Sequence, residues 1–207
     1  MSTQTMKQGL RQSIIAARQK LAAAERVEYS REITLRLLNL AAYKEAVSVL
    51  GYMSFGAEFS TGLFVQQALQ DGKQVLLPKV DRGTRQLELF RIRDLLQDVA
   101  PGLWDIPEPL PDRCERMDVA ERLDLILLPG VAFARDGSRL GYGGGFYDKL
   151  LERISLNAAS ALTVQPALVA AAYSMQLVND IPQEATDRKV EWLVTENEVI
   201  DCAASMS

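Results

Sequence analysis

The sequence predicts an α/β protein, a single domain built on an open, mostly parallel sheet with helices on both faces. Three observations lead there. Short apolar runs recur along the chain with segments between them long enough to form a helix. One run, Leu125-Ile126-Leu127-Leu128, is apolar at every position, as a strand covered on both faces must be. It leads through a turn into four glycines within the five residues 141–145, and these open a new helical period at Phe146, Leu150 and Leu151.

Taken in order, residues from about 5 to 42 read as helix. Leu10, Ile14, Ala17 and Leu21 recur at steps of four and three, and Ile33, Leu37 and Leu40 form a second set. The pattern then shortens to Ala46–Tyr52, a β-branched apolar run that predicts a strand. Thr61 is placed to cap a helix running to Asp71, with Gly72 as its stop. Gln74–Pro78 predicts the next strand. Leu87–Arg91 predicts another, closer to an edge because it alternates. Four prolines between Pro101 and Pro111 predict an ordered but irregular crossing loop. After the strand at 124–129 and the glycine segment, Pro166–Ala171 and Glu191–Thr195 complete the set. In such sheets ligands bind outside the carboxyl ends of strands, at a switch point. The glycine segment, Tyr52–Thr61, Lys79 and the residues after Ala171 are all expected at strand ends.

Composition narrows the chemistry. At 207 residues and 48% apolar content, one domain spanning 1–207 is expected. No apolar run approaches the roughly 20 residues needed to cross a bilayer, and no signal-peptide pattern opens the chain. The expectation is a cytoplasmic protein without a membrane partner. Cys114 and Cys202 lack metal-type spacing and are expected as free thiols. A net charge of −4 argues against a nucleic-acid partner. The absence of histidine excludes a Ser-His-Asp triad, a histidine-bound zinc and an imidazole base. What remains is carboxylates, Lys and Arg, Tyr and oxygen-bound metal, an inventory suited to phosphoryl transfer.

The glycine segment agrees with that inventory. Without side chains, several N–H groups at a helix N-terminus can approach one anion, and the helix dipole adds attraction. The spacing G-x-G-G-G from Gly141 lacks the features of a dinucleotide fold and the Lys-Ser/Thr pair of a Walker loop. On spacing alone a tight packing turn is the competing reading. Arg139, two aromatics and Asp148 flank the glycines and favour a phosphate, with Asp148 placed to hold the accompanying magnesium.

Five ordered segments then carry a resemblance along nearly the whole chain. They are Lys7-Gln8-Gly9-Leu10-Arg11, Tyr52–Thr61, Gly102–Pro109, Leu128–Asp148, and Asp180-Ile181-Pro182 through Asp187 to Glu196. Together they resemble the 5-formyltetrahydrofolate cyclo-ligase family, also called methenyltetrahydrofolate synthetase. The resemblance implies a NagB/RpiA/CoA-transferase-like arrangement. It also implies ATP- and Mg2+-dependent conversion of 5-formyltetrahydrofolate to 5,10-methenyltetrahydrofolate through phosphorylation of the formyl oxygen. Reduced folate and ATP are the implied partners, and a monomer is expected.

Residue by residue, the resemblance implies Arg139 and Lys7 as catalytic cations. ATP would meet Lys7, Arg11, Arg139, Leu140, Gly141, Tyr142, Gly143, Gly144, Gly145, Phe146 and Tyr147. The folate would meet Met53, Glu58, Trp104 and Tyr147, and the metal Asp148 and Asp187. Lys79 is a further candidate for phosphate or the folate glutamate tail. The chain departs from the family at Gly144, where many members have lysine. It also departs at Phe59-Ser60, which loses a carboxylate, and at Glu191, where Asp is usual. Two other readings stand beside this one: a non-catalytic folate- or nucleotide-binding paralogue, and a sugar-phosphate isomerase-like enzyme.

Overall fold

The structure is a computed structural model, and it describes residues 2–102, 106–118, 122–161, 164–184 and 187–204. The chain begins with helices α1 (Thr3–Gln19), α2 (Ala23–Asn39) and α3 (Ala41–Glu45), then β1 (Ser48–Leu50) and α4 (Gly62–Gln70). A long hairpin follows, β2 (Gln74–Asp81) and β3 (Gln86–Ile92), then the short strands β4 (Val99–Pro101), β5 (Pro107–Pro109) and β6 (Glu115–Met117). The second half holds β7 (Leu125–Leu128), β8 (Ala132–Ala134), β9 (Arg139–Leu140), α5 (Phe146–Ala161), β10 (Ala167–Ala171), β11 (Leu177–Val178), β12 (Trp192–Val194) and β13 (Val199–Asp201). Among the described residues no helix is long and apolar enough to cross a membrane.

Eight strands form the main sheet in the order β13-β12-β10-β7-β1-β2-β3-β6. The five central strands β12, β10, β7, β1 and β2 are parallel, and the pairings of β13, β3 and β6 are antiparallel. The expected fold class is the observed one. Strand period two explains why both faces are covered. Val49, Val75, Leu125, Leu127, Val169 and Val194 point into a core with α2, α3 and α4, through Ile33, Leu37, Tyr43 and Phe64. Their neighbours Leu50, Leu76, Ile126, Leu128, Ala170 and Leu193 point into the opposite core, closed by Leu150, Leu151 and Ile154 of α5. Register holds the two sets apart, since Val49 pairs with Leu125 and Leu50 with Ile126. Asp124 fixes the start of that pairing, its carboxylate accepting from Val47 N, Ser48 N and Ser48 Oγ at 2.9, 3.0 and 3.1 Å.

Several local expectations change. The turn expected between 125–128 and the glycines is an antiparallel hairpin, β8–β9, which β11 joins as a separate three-stranded sheet. The glycine segment therefore follows β9 and not β7. Pro101 and Pro107–Pro109 of the proline-rich 101–111 segment belong to the antiparallel pair β4–β5, so its described part is more regular than its composition implies. Lys79 lies inside β2, opposite Glu88, and not beyond a strand end. Thr61 precedes α4, but its hydroxyl accepts from Ser54 N at 3.0 Å instead of capping the helix. Gly72, at φ 75°, does end the helix, as expected of a residue entering the left-handed region.

The first helix shows the most instructive difference. Its buried residues are Lys7, Ile14 and Arg18, with Arg11 half-buried beside them. The steps 7, 11, 14, 18 repeat the four-three-four spacing of Leu10, Ile14, Ala17 and Leu21, displaced by three residues. The helix has thus rotated its cationic side inward. Ile14 supplies the apolar contact, packed with Val131, Ala132, Leu140 and Ile181, and Leu10 lies at the margin.

Gly137 shows how tightly the β8–β9 hairpin is held. It sits at φ +85°, and a Cβ there would lie 2.3 Å from the backbone oxygen of Val190. Gly137→Ala combines left-handed strain with a backbone clash. It is expected to cost about 3 kcal/mol in urea unfolding, and an unchanged midpoint would show that this hairpin does not constrain the fold.

Candidate active site

A cavity of about 1070 Å³ opens at the carboxyl ends of β1 and β7. These neighbours mark the reversal of strand order, because the chain runs from β1 outward to β2 but from β7 outward through β10 to β12. A crevice there is the usual ligand position in an open α/β sheet. One wall follows β1 and carries Tyr52, Met53, Phe55 and Glu58; Pro129 follows β7; Leu77, Pro78 and Val80 come from β2. The glycine segment, α1 and the side chains of Glu184, Asp187 and Arg188 close the other sides.

Lys7, Arg11 and Arg139 reach this cavity from distant parts of the chain, and Lys149 and Arg188 line it with them. Arg139 is 8% exposed and anchored by Nη1 to Pro129 O at 3.1 Å, while Nη2 donates to Asp148 Oδ1 at 2.6 Å. Lys7 is 6% exposed and pairs with Asp187 at 2.6 Å and Glu184 at 3.1 Å. Burial works against the charge of Lys7, but the bonds to Asp187 and Glu184 outweigh it and raise the ammonium above its ordinary value. Arg11 donates from Nε to Gly141 O at 2.7 Å, tying α1 directly to the glycine segment.

The backbone of that segment requires its glycines at two points. Gly143 and Gly145 have φ of 98° and 66°, a region that side chains disfavour. Gly145 O accepts from Lys149 N at 3.1 Å, so the glycines end where α5 begins. Gly144 is constrained by a different cause: a Cβ would lie 2.7 Å from the ring of Phe146, which would have to shift. The lysine common at this position in the resembling family therefore needs the Phe146 ring to move. Arg11 lies closest to Gly143, its Cζ 3.6 Å from where a Cβ would be, and so places a cation beside the glycines.

On the other side of the cavity Glu58 is buried. Its Oε2 accepts from Phe55 N at 3.0 Å, and its Oε1 accepts from the Tyr142 hydroxyl. Tyr142 in turn accepts from Arg18 Nη2 at 2.9 Å. Burial pushes the Glu58 carboxyl above its ordinary value, opposed by the bonds from Tyr142 and Phe55 and by the charge of Arg18. Burial, with the charge of Glu58 second, also pushes up the phenols of Tyr52, Tyr142 and Tyr147. Tyr173, beyond β10, holds the backbone beneath, donating to Glu58 O at 3.0 Å.

The cavity gathers Lys7, Arg11, Met53, Glu58, Arg139, Leu140, Gly141, Tyr142, Gly143, Gly144, Gly145, Phe146, Tyr147, Asp148 and Asp187. Trp104 lies outside the described residues. Lys79 is not on the wall; it turns to Glu108, 3.0 Å away, and Glu108 faces the cavity. Asp148 and Asp187 share the cavity, although no cluster of three metal-type side chains exists among the described residues. Two carboxylates suit a magnesium ion that takes its remaining ligands from phosphate and water. Sequence reasoning missed Arg18, Phe55 and Glu184. The four-three-four spacing from Lys7 to Arg18 was the available signal for Arg18.

Residues 3–196 match the 5-formyltetrahydrofolate cyclo-ligase family. The chain is 32% identical over 191 residues to the 5-formyltetrahydrofolate cyclo-ligase of Haemophilus influenzae, spanning 90% of this chain and 95% of that protein. It is 27% identical over 198 residues to a probable 5-formyltetrahydrofolate cyclo-ligase of Caenorhabditis elegans, spanning 94% and 95%. The NMR structure of Aquifex aeolicus 5,10-methenyltetrahydrofolate synthetase matches with a TM-score of 0.79 at 31% identity, covering 95% of this chain and 93% of that one. A synthetase of the same name from Mycoplasma pneumoniae, 21% identical over 92% of this chain and 98% of its own, shares the fold with a TM-score of 0.69.

The raised Glu58 carboxyl has a consequence for stability. The folded state binds this proton more tightly than the unfolded chain, so the contribution is full at acid pH and is lost as pH rises through the raised value. Glu58→Gln removes that loss. Its melting temperature relative to wild type is expected to rise as pH increases through the raised value. A constant difference would show that Glu58 is as easily ionised in the fold as outside it.

Proposed function

The chain belongs to the 5-formyltetrahydrofolate cyclo-ligase family; from that premise we propose that it converts 5-formyltetrahydrofolate and ATP to 5,10-methenyltetrahydrofolate, ADP and phosphate, with Mg2+, as a single-domain monomer. The observation that carries this reading is the convergence of Lys7, Arg11 and Arg139 with a glycine segment on one side of a cavity whose other side presents Glu58. The first side suits a polyphosphate. The second suits a flat heterocycle bearing N–H donors.

In this reading the formyl oxygen attacks the terminal phosphorus of ATP, and ADP leaves. N10 then attacks the activated carbon, its C–O bond to phosphate breaks, and N10 loses its proton. No nucleophilic side chain is required, in keeping with a chain that has no histidine. Catalysis rests on alignment and on neutralising charge as it develops. Arg139 and Lys7 lie where they can leave their carboxylate partners for phosphate oxygens, and the amides of Gly143–Gly145 line the same approach. Glu58 accepts hydrogen bonds from the pterin amino and ring N–H groups, with Met53 as an apolar wall and Tyr147 as a stacking surface. Asp148 and Asp187 would hold Mg2+, which when bound supplies positive charge to the phosphates.

Methenyl absorbance should grow only with ATP and Mg2+ present, with one ADP released per product. Arg139→Ala is expected to lower kcat by about 10²–10³-fold, the usual cost of removing one transition-state cation or donor. Asp148→Ala and Asp187→Ala should each raise the Mg2+ concentration needed for half-maximal rate at least about tenfold, a loss of roughly 1.4 kcal/mol of binding. Product formation without ATP, or ATP consumption without methenyl product, would overturn the assignment.

A further inference from the structure

Arg18 stands behind the cavity wall and is not among the residues lining it. It is 4% exposed, and its Nε is buried without a hydrogen-bond partner among the described residues. Its one bond to the glycine segment goes to the Tyr142 hydroxyl, and its guanidinium carbon lies 6.0 Å from the centroid of that ring. A buried guanidinium with an unsatisfied N–H opposes stability, and an apolar side chain of similar length in its place is often neutral or better. A cation at the last turn of a helix usually complements the dipole. Arg18 instead reaches a residue 124 positions away in sequence.

What it reaches explains the arrangement. Tyr142 donates to Glu58 Oε1 and rests its ring on Phe55, at 5.2 Å between centroids. Phe55 N holds the other oxygen of the same carboxylate. Arg18, Tyr142 and Glu58 thus form a line from the back of α1 to the acid that faces the cavity, and the positive end favours the ionised carboxylate at the other. The glycine segment does not depend on this line for its position, because Arg11 holds it separately at Gly141 O.

We propose that Arg18 is a positioning residue for the folate half of the reaction, acting through Tyr142 to hold the Glu58 carboxylate ionised and aimed at the pterin. The inference rests on the proposed function. When folate takes Glu58, Tyr142 yields its bond to the carboxylate and keeps the one from Arg18, while Arg11 holds the loop at Gly141 O. Arg18 therefore governs folate affinity and leaves the nucleotide side and the chemical step nearly untouched.

The test compares wild type, Arg18→Met, Arg18→Lys, Tyr142→Phe and the Arg18→Met/Tyr142→Phe double variant in methenyl formation with ATP and Mg2+. Melting curves check that each variant folds. Arg18→Met is expected to raise the KM for 5-formyltetrahydrofolate at least about tenfold, or roughly 1.4 kcal/mol, while kcat and the KM for ATP stay within about threefold. Arg18→Lys should recover most of the loss. The double variant should be no worse than the more impaired single variant, since both changes cut one line. An unchanged folate KM in Arg18→Met, a parallel fall in kcat, or additive losses in the double variant would overturn the proposal. Failure of the wild type to form methenyl product would instead overturn the function on which it rests.

Discussion

The architecture of the cavity depends on one requirement: a buried cation must find acceptors. Lys7, Arg18 and Arg139 are each less than one-tenth exposed. Removing such charges from water costs several kcal/mol apiece unless each is paired or hydrogen-bonded. The partners come from Asp187 and Glu184, from Tyr142, and from Asp148 with Pro129 O. Docking α1 therefore pulls together the glycine segment and the acidic stretch near residue 187. The apolar part of the contact is small, centred on Ile14 against Val131, Ala132 and Leu140. Charge neutralisation sets the geometry, and apolar burial supports it.

The main sheet supplies the rigid platform for this assembly. Alternate side chains of each central strand feed two separate cores, so a one-residue slip would exchange them and is strongly opposed. With register fixed, the carboxyl ends of β1 and β7 lie side by side, and the residues that follow them must diverge. The segment after β1 brings Glu58, and the one after β7 turns through the β8–β9 hairpin to bring Arg139. The two halves of the cavity are thus placed by adjacent strands, although the residues are 81 positions apart in the chain.

Much of the fold was legible because apolar period and strand burial agree. The run 125–128, the Val169–Ala171 end of β10 and the alternating β3 announce their positions directly. The candidate site was legible where glycines gather beside a cation and an acid, as at Gly141, Gly143, Gly144 and Gly145 between Arg139 and Asp148. Two features were hidden for physical reasons. Leu10, Ile14, Ala17 and Leu21 have the same period as the set Lys7, Arg11, Ile14 and Arg18, in which all but the half-buried Arg11 are buried, and a hydrophobicity pattern always selects the apolar member of such a pair. The β8–β9 hairpin was hidden because strands of three and two residues leave no room for a pattern. Arg18 remained unassigned since a cation near a helix C-terminus already has an adequate local explanation.

The span of these contacts bears on the order of assembly. The β2–β3 hairpin closes locally, across the turn at Asp81–Gln86. The bond from Arg11 to Gly141 closes a loop of 130 residues, and that from Lys7 to Asp187 one of 180. Contacts of such length carry their loop-closure entropy before they return any stabilisation. The cavity is thus expected to be completed last as the chain folds, when α1 settles on a sheet that already exists. By the same token it is the first region to open under mild denaturant. Mild denaturant is expected to loosen the cavity while the eight-stranded sheet is still intact.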